Sequence, residues 1–147
     1  MDIRIATEND QPELIKMGKQ LWPETSKSEL EKSFSTTFTS SSEVTFIGEL
    51  DDVPIGFTIC SLRSDYVEGS RKSPTGYLEA IFMAPEFRNK GWASALVAQG
   101  EHWCQQRGCT QMGSDTETTN IVSQQFHEKL GFKETNRIVC FIKPIEL

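Results

Sequence analysis

The stretch Met83-Ala84-Pro85-Glu86-Phe87-Arg88-Asn89-Lys90-Gly91-Trp92-Ala93 decides how the chain is organised. Before it runs Gly76–Met83, an apolar segment that reads as a strand and is interrupted by one acid, Glu79. Pro85 breaks that strand. After it a helix opens, with Leu96, Val97, Gly100, Trp103 and Cys104 on its buried face and Gly108 as its stop. A strand that turns through glycine into a helix gathers free backbone N–H groups and the positive end of the helix dipole at one point. Gly91 lets the backbone come close to a ligand there. Arg88 and Lys90 add positive charge in a chain whose formal net charge is −6. The turn is a candidate site for an anion such as a pyrophosphate; the alternative is a plain turn with solvated cations. It is neither a Walker loop, which needs GxxxxGK and a hydroxyl, nor a GxGxxG dinucleotide loop.

Outward from this turn the chain alternates between strand and helix signals. Ile3-Arg4-Ile5 reads as a first strand. Asp10, with Glu13 three residues on, predicts the N-cap and capping box of a helix bearing Leu14, Met17, Gly18 and Leu21, which Trp22-Pro23 ends. Leu30, Phe34 and Phe38 predict a second helix. Val44–Glu49 and Val53–Leu62 flank Leu50-Asp51-Asp52 as a hairpin, and Arg63–Pro74 reads as a polar loop holding Tyr66. Thr110–Asp115 predicts a short strand ending in an acid. Val122, Phe126 and Leu130 predict a last helix stopped by Gly131, and Arg137–Ile142 a closing strand. The order β-α-α-β-β-β-α-β-α-β is that of a mixed α/β chain.

Composition bounds the function. With 147 residues and no linker, the expectation is one domain over residues 1–147. A hydrophobic content of 37% with 24% charged residues excludes a disordered chain, and no apolar run is long enough to cross a bilayer. The N-terminus carries no signal-peptide pattern. The acidic balance, pI about 5.0, argues against nucleic acid and suits a cationic ligand. Cys60, Cys104, Cys109 and Cys140 show no CxxC spacing and His102 and His127 are the only histidines, so no metal is expected. The thiols, Cys104 and Cys140 among them, read as reduced core residues of a cytoplasmic protein.

The run Leu78–Gly108 resembles the acyl-coenzyme A binding core of the GNAT superfamily of N-acetyltransferases, whose pattern after a strand and a proline is R/Q-x-x-G-x-G/A. Asn120 and His127-x-x-x-Gly131-Phe132 resemble the family's last helix and its exit. A narrower resemblance, to the small aminoglycoside 6′-N-acetyltransferases, is carried by several segments in order. They are Leu21-Trp22-Pro23, Asp65-Tyr66-Val67-x-Gly69, Ser73-Pro74, Tyr77-Leu78-Glu79-x-Ile81-Phe82, Ser114-Asp115-Thr116 and Asn120-x-x-Ser123.

The resemblance implies an α/β GNAT fold, a mixed central sheet splayed around the acyl-coenzyme A site with helices on both faces. It implies acetyl-coenzyme A as cosubstrate, held by Ile81, Met83, Arg88, Asn89, Lys90, Gly91, Trp92, Ala93, Ser94, Asn120 and His127. It implies an aminoglycoside cleft lined by Trp22, Tyr66, Glu79 and Asp115, and a homodimer. His127 stands where many members carry a tyrosine. It could protonate a leaving thiolate, hydrogen-bond the coenzyme, or be a polar helix residue. Trp92 could pack on the ligand or on the neighbouring helix.

Chemistry then suggests roles. An ammonium must lose a proton before it attacks a thioester. Asp115, at a strand exit, is the candidate base, and Glu79 the anchor for the cationic amine; an unpaired carboxylate inside so apolar a strand must face a wet cleft. Backbone N–H groups around Ile81–Met83 can stabilise the thioester oxygen. A polyamine or protein-amine acetyltransferase, or a non-catalytic coenzyme A or amine sensor, would share much of this pattern.

Overall fold

Period-two alternation along two neighbouring strands sets out the architecture. In the computed structural model, which describes residues 1–146, β2 (Glu43–Leu50) and β3 (Val53–Arg63) form an antiparallel hairpin. Asp51 and Asp52 close it with φ of 51° and 64°. Two left-handed residues give a turn whose twist matches the strands, and these two acids need no other role. Ile47, Phe57 and Ile59 share one face with Ala80 and Phe82 of β4 (Thr75–Met83). Helices α1 (Gln11–Leu21) and α2 (Lys27–Thr39) cover that face with Leu14, Met17, Leu30 and Phe34. Phe57 is central: its ring lies 5.3 Å from Phe34, edge on, and 5.9 Å from Phe82, stacked. Burying one such side chain stabilises the fold by roughly 1.5–3 kcal/mol.

Helix α3 (Trp92–Gln105) takes the opposite face, burying Leu96, Val97, Trp103 and Cys104. At Gly100 a Cβ would stand 2.3 Å from Cys60 Sγ, so glycine is what lets this helix settle onto β3. Strand β1 (Asp2–Ile5) pairs antiparallel with β2, and β5 (Met112–Ser114) pairs parallel with β4. The sheet order is β1-β2-β3-β4-β5. The expected mixed α/β fold with helices on both sheet faces is therefore present.

Three local expectations change. Asp10 precedes α1 but its side chain does not cap it. It closes a 3₁₀ turn, Glu8–Asp10, accepting from the Thr7 N–H at 2.8 Å. Arg4 draws it there through two bonds of 2.8 and 2.7 Å, and those bonds hold the Asp10 carboxyl below its usual range. Second, Arg63 ends β3 rather than starting the loop, and β5 is three residues long.

Third, Arg137–Ile142 forms no strand. The residues through Asp115 make one compact unit and those from Thr116 a second. In the second, α4 (Ile121–Lys129) is the one regular element among the described residues. A strand exists only through ladder partners, and this segment has none among the described residues. Cys140 is exposed, not core. The predicted face of α4 is only half-buried at Phe126 and Leu130, and Val122 is 79% exposed.

Candidate active site

The turn after β4 has the geometry its sequence predicts. A 3₁₀ turn, Pro85–Phe87, follows the strand. Asn89 and Gly91 are both left-handed, φ 62° and 80°. Gly91 sits at the N-cap of α3, where a Cβ would meet nothing within 4 Å. The first intrahelical bond runs from the Ala95 N–H to the Gly91 carbonyl. The N–H groups of Trp92, Ala93 and Ser94 therefore precede the ladder. No acidic residue occupies this first turn. Trp92 packs on Phe87, ring centres 5.9 Å apart, with Lys90 Nζ 5.9 Å from its ring centre.

Glu79 is the hinge of the site. β3 pairs Ile59 with Ala80 but Cys60 with Leu78, so Glu79 is an extra residue, a β-bulge. Before it, the Gly76 N–H reaches the Gln111 carbonyl at 3.0 Å and the Leu78 carbonyl accepts from Ser114 Oγ at 3.2 Å, both toward β5. After it, the Ala80 carbonyl accepts from Thr58 Oγ1 at 2.8 Å and the Ala84 N–H donates to the Ile55 carbonyl at 2.8 Å, both toward β3. The bulge has reversed the alternation. Ile81 and Met83 consequently turn their backbone groups away from β3, on the side where β5 pairing stops at Leu78–Ser114. The sheet is open along this edge. Arg88 Nε donates to the Met83 carbonyl there at 2.8 Å, tying the turn to the strand.

The acids stand at the bulge and just beyond β5. Arg63 Nε and Nη2 donate to Glu79 Oε1 and Oε2 at 3.0 and 2.9 Å, and Ser61 Oγ donates to Oε1 at 2.7 Å. The Arg63 guanidinium carbon lies 3.4 Å from the centre of the Tyr77 ring. The Tyr77 hydroxyl in turn donates to Asp115 Oδ2. Burial, and then the bond to Asp115, push the Tyr77 phenol well above its ordinary pKa, so it remains a donor. Asp115 itself is exposed.

The other expected residues are more scattered. Tyr66 is 81% exposed, and its hydroxyl donates to Glu68 Oε2 at 2.9 Å. Its loop lines a cavity of about 210 Å³ with Asp65, Arg71 and Ser73. Trp22, half-buried at the end of α1, packs 6.1 Å from the Phe57 ring. No described hydrogen bond or ring contact joins Trp22 to Tyr66, Glu79 or Asp115. A cavity of about 800 Å³ lies between α3 and the start of β5, with Ala98, His102, Cys109 and Met112 on its walls, and contains neither Glu79 nor Asp115.

In the second unit Asn120 caps α4, its side chain accepting from the Ser123 N–H at 3.1 Å. His127 Nδ1 lies 2.7 Å from the Ser123 carbonyl and donates its hydrogen to it. Burial raises the thiols of Cys60 and Cys104 to about 12 and about 11, which suits packing and not nucleophilic attack.

Arg63, Ser61 and Tyr77 were not expected as site residues. Tyr77 was within reach, because a period of two puts it beside Glu79. Arg63 and Ser61 carried no such signal, because their meeting with Glu79 depends on the bulged register of β3 against β4.

An open-edged sheet, a bulged strand and a glycine turn into a helix define an acyl-coenzyme A dependent transferase architecture. The acetyltransferase (GNAT) family matches residues 13–132, and the chain belongs to that family. Among characterised relatives, the aminoglycoside N(6')-acetyltransferase type 1 of Salmonella enteritidis is 37% identical, over 97% of this chain and 99% of its own length. The enzyme of the same name from Acinetobacter haemolyticus is 32% identical over 99% and 100%. Among solved structures, AAC(6')-Iy in complex with CoA superposes with a TM-score of 0.94 at 36% identity, covering 98% of this chain and 95% of that one. AAC(6')-Iy in complex with the bisubstrate analogue CoA-S-monomethyl-acetylneamine gives 0.93 at 36%, covering 98% of each.

Proposed function

We propose that this protein transfers the acetyl group of acetyl-coenzyme A to the 6′-amino group of aminoglycosides and so confers resistance to them. The observation that carries this reading is that Glu79 within β4, and Asp115 just beyond its neighbour β5, stand on the strand pair whose open edge leads into the Gly91 turn. Relatives named for this activity over nearly the whole chain support it.

The residues present fit the cosubstrate: an uncrowded glycine, three N–H groups ahead of the helix ladder, and Arg88 and Lys90 beside them. Acetyl-coenzyme A supplies an acetyl thioester. Arg88–Ser94 holds its pyrophosphate. The N–H groups of Ile81 and Met83 hydrogen-bond the pantetheine and the thioester oxygen. Glu79 anchors the cationic amine, with Trp22 and Tyr66 as further cleft walls. Asp115 accepts the proton, directly or through a water, with its carboxylate oriented by Tyr77. Asn120 and His127 are the coenzyme-binding residues of this reading within the second unit. The bond from its Nδ1–H to the Ser123 carbonyl orients the His127 ring.

The whole chain acts as one N-acetyltransferase domain, a reading supported by a family match that runs across the boundary at Asp115. A cytoplasmic location is supported by cysteines that are free thiols throughout, and no described helix is long and apolar enough to cross a membrane. The test of function is a panel of amines assayed for thiol release from acetyl-coenzyme A. Kanamycin-type drugs should turn over well ahead of spermidine and of a lysine peptide. Preference for spermidine or the peptide would move the substrate class, and no turnover of any amine would leave a binding module.

The protein is also a homodimer in this reading. Ile138, Val139, Phe141 and Ile142 are 72%, 77%, 91% and 100% exposed in a segment whose apolar run predicts a strand. Among the described residues, β5 has a ladder partner on one side only. A second copy of the chain offers the partner that both lack, and such surfaces are an association hazard if left bare. Sedimentation at micromolar concentration should give twice the 16.6 kDa chain mass, and Phe141→Asp should shift it toward monomer; a wild-type protein sedimenting only at 16.6 kDa would refute the dimer.

A further inference from the structure

Glu79 is already neutralised before any substrate arrives. The Arg63 fork takes both its oxygens and Ser61 takes a third lone pair. Two-point guanidinium pairing is the strongest way to hold a carboxylate. A carboxylate so paired exerts little pull on another cation. The pair is nevertheless open to exchange. The Arg63 and Glu79 side chains are 41% and 30% exposed, and Arg63 is the last residue of β3, on a flexible stem lying over Tyr77. An ion pair this accessible is readily traded for another.

We propose that Arg63 is a resident counter-cation, displaced from Glu79 by the substrate ammonium, and that this exchange makes the site selective for polycationic amines over simple ones. The inference rests on the reading of Glu79 as the amine anchor. A lone ammonium must exchange a two-point fork for one contact. A polycation brings further ammonium groups whose contacts with neighbouring acids offset that loss. Arg63 is thus a specificity-determining residue that touches the substrate's binding group and not the reacting carbonyl.

Arg63→Met keeps an apolar stem over Tyr77 and removes the cation. KM for amines should fall about three- to tenfold, and further for a simple primary monoamine than for a kanamycin-type drug, so that the ratio of their kcat/KM values narrows. Arg63→Lys, a point cation without the fork, should shift KM the same way by less, and it carries the test if the first variant fails to fold. Glu79→Gln should raise KM more in the Arg63→Met background than in the parent, because the anchor is unmasked. An unchanged or raised KM in both Arg63 variants, with Glu79→Gln still raising KM in the parent, would show that Arg63 merely orients Glu79 and would overturn the exchange alone. A KM indifferent to Glu79→Gln in either background would remove the anchor reading and the exchange with it.

Discussion

Replacing Asp115 by asparagine is expected to lower kcat by about 10²–10⁴, the usual share of a general base, while the KM for the aminoglycoside changes little. Asparagine retains an oxygen to accept from the Tyr77 hydroxyl, so the geometry at the end of β5 survives. What it loses is the capacity to take a proton. The deficit should shrink as pH rises, because more of the amine is then already neutral. Initial rates at saturating drug across a pH series measure this directly. If Asp115→Asn leaves kcat intact at pH 7 while Glu79→Gln abolishes it, the two acids exchange roles. If neither change affects turnover of any amine, the substrate cleft lies elsewhere.

Valine at position 91 is expected to weaken coenzyme A binding about 10- to 100-fold. Gly91 has φ 80°, a conformation strongly disfavoured for a β-branched residue, with a strain cost of order 1–3 kcal/mol. The space around it is open, so the effect comes from the backbone and not from a clash. Relaxing that strain should swing the N–H groups of Trp92, Ala93 and Ser94 off the position proposed for the phosphate. Titration calorimetry with coenzyme A should show the loss, and Gly91→Ala, without the β-branch, should show less of it. Wild-type affinity in the valine variant would take this turn out of the site.

Much of this was readable from residue order because it depends on local physics. Gly91 after Pro85 signals a strand, a turn and a helix start, each set by φ/ψ preferences within a few residues. Leu30 and Phe34 mark the inner face of α2 through helical spacing. Glu79 within Gly-Tyr-Leu-Glu-Ala-Ile-Phe-Met declares itself by the cost of burying a lone carboxylate, and it does open to solvent. The Asp10 capping expectation failed because a residue distant in the hydrogen-bond pattern, Arg4, outbid the helix terminus for that carboxylate.

The sequence by itself determined the α/β order through the last helix and the glycine turn, and it singled out the two acids. Each follows from periodicity, backbone preference or desolvation cost along a single segment. Only the tertiary structure decided that Glu79 is a bulge, that the bulge turns Ile81 and Met83 toward the open edge of β4, and that Arg63 and Tyr77 link the two acids. Those facts depend on the register between β3 and β4, where one inserted residue reverses which side every later backbone group faces. A strand's own residues carry its alternation; the phase of that alternation against its neighbour is a property of the pair.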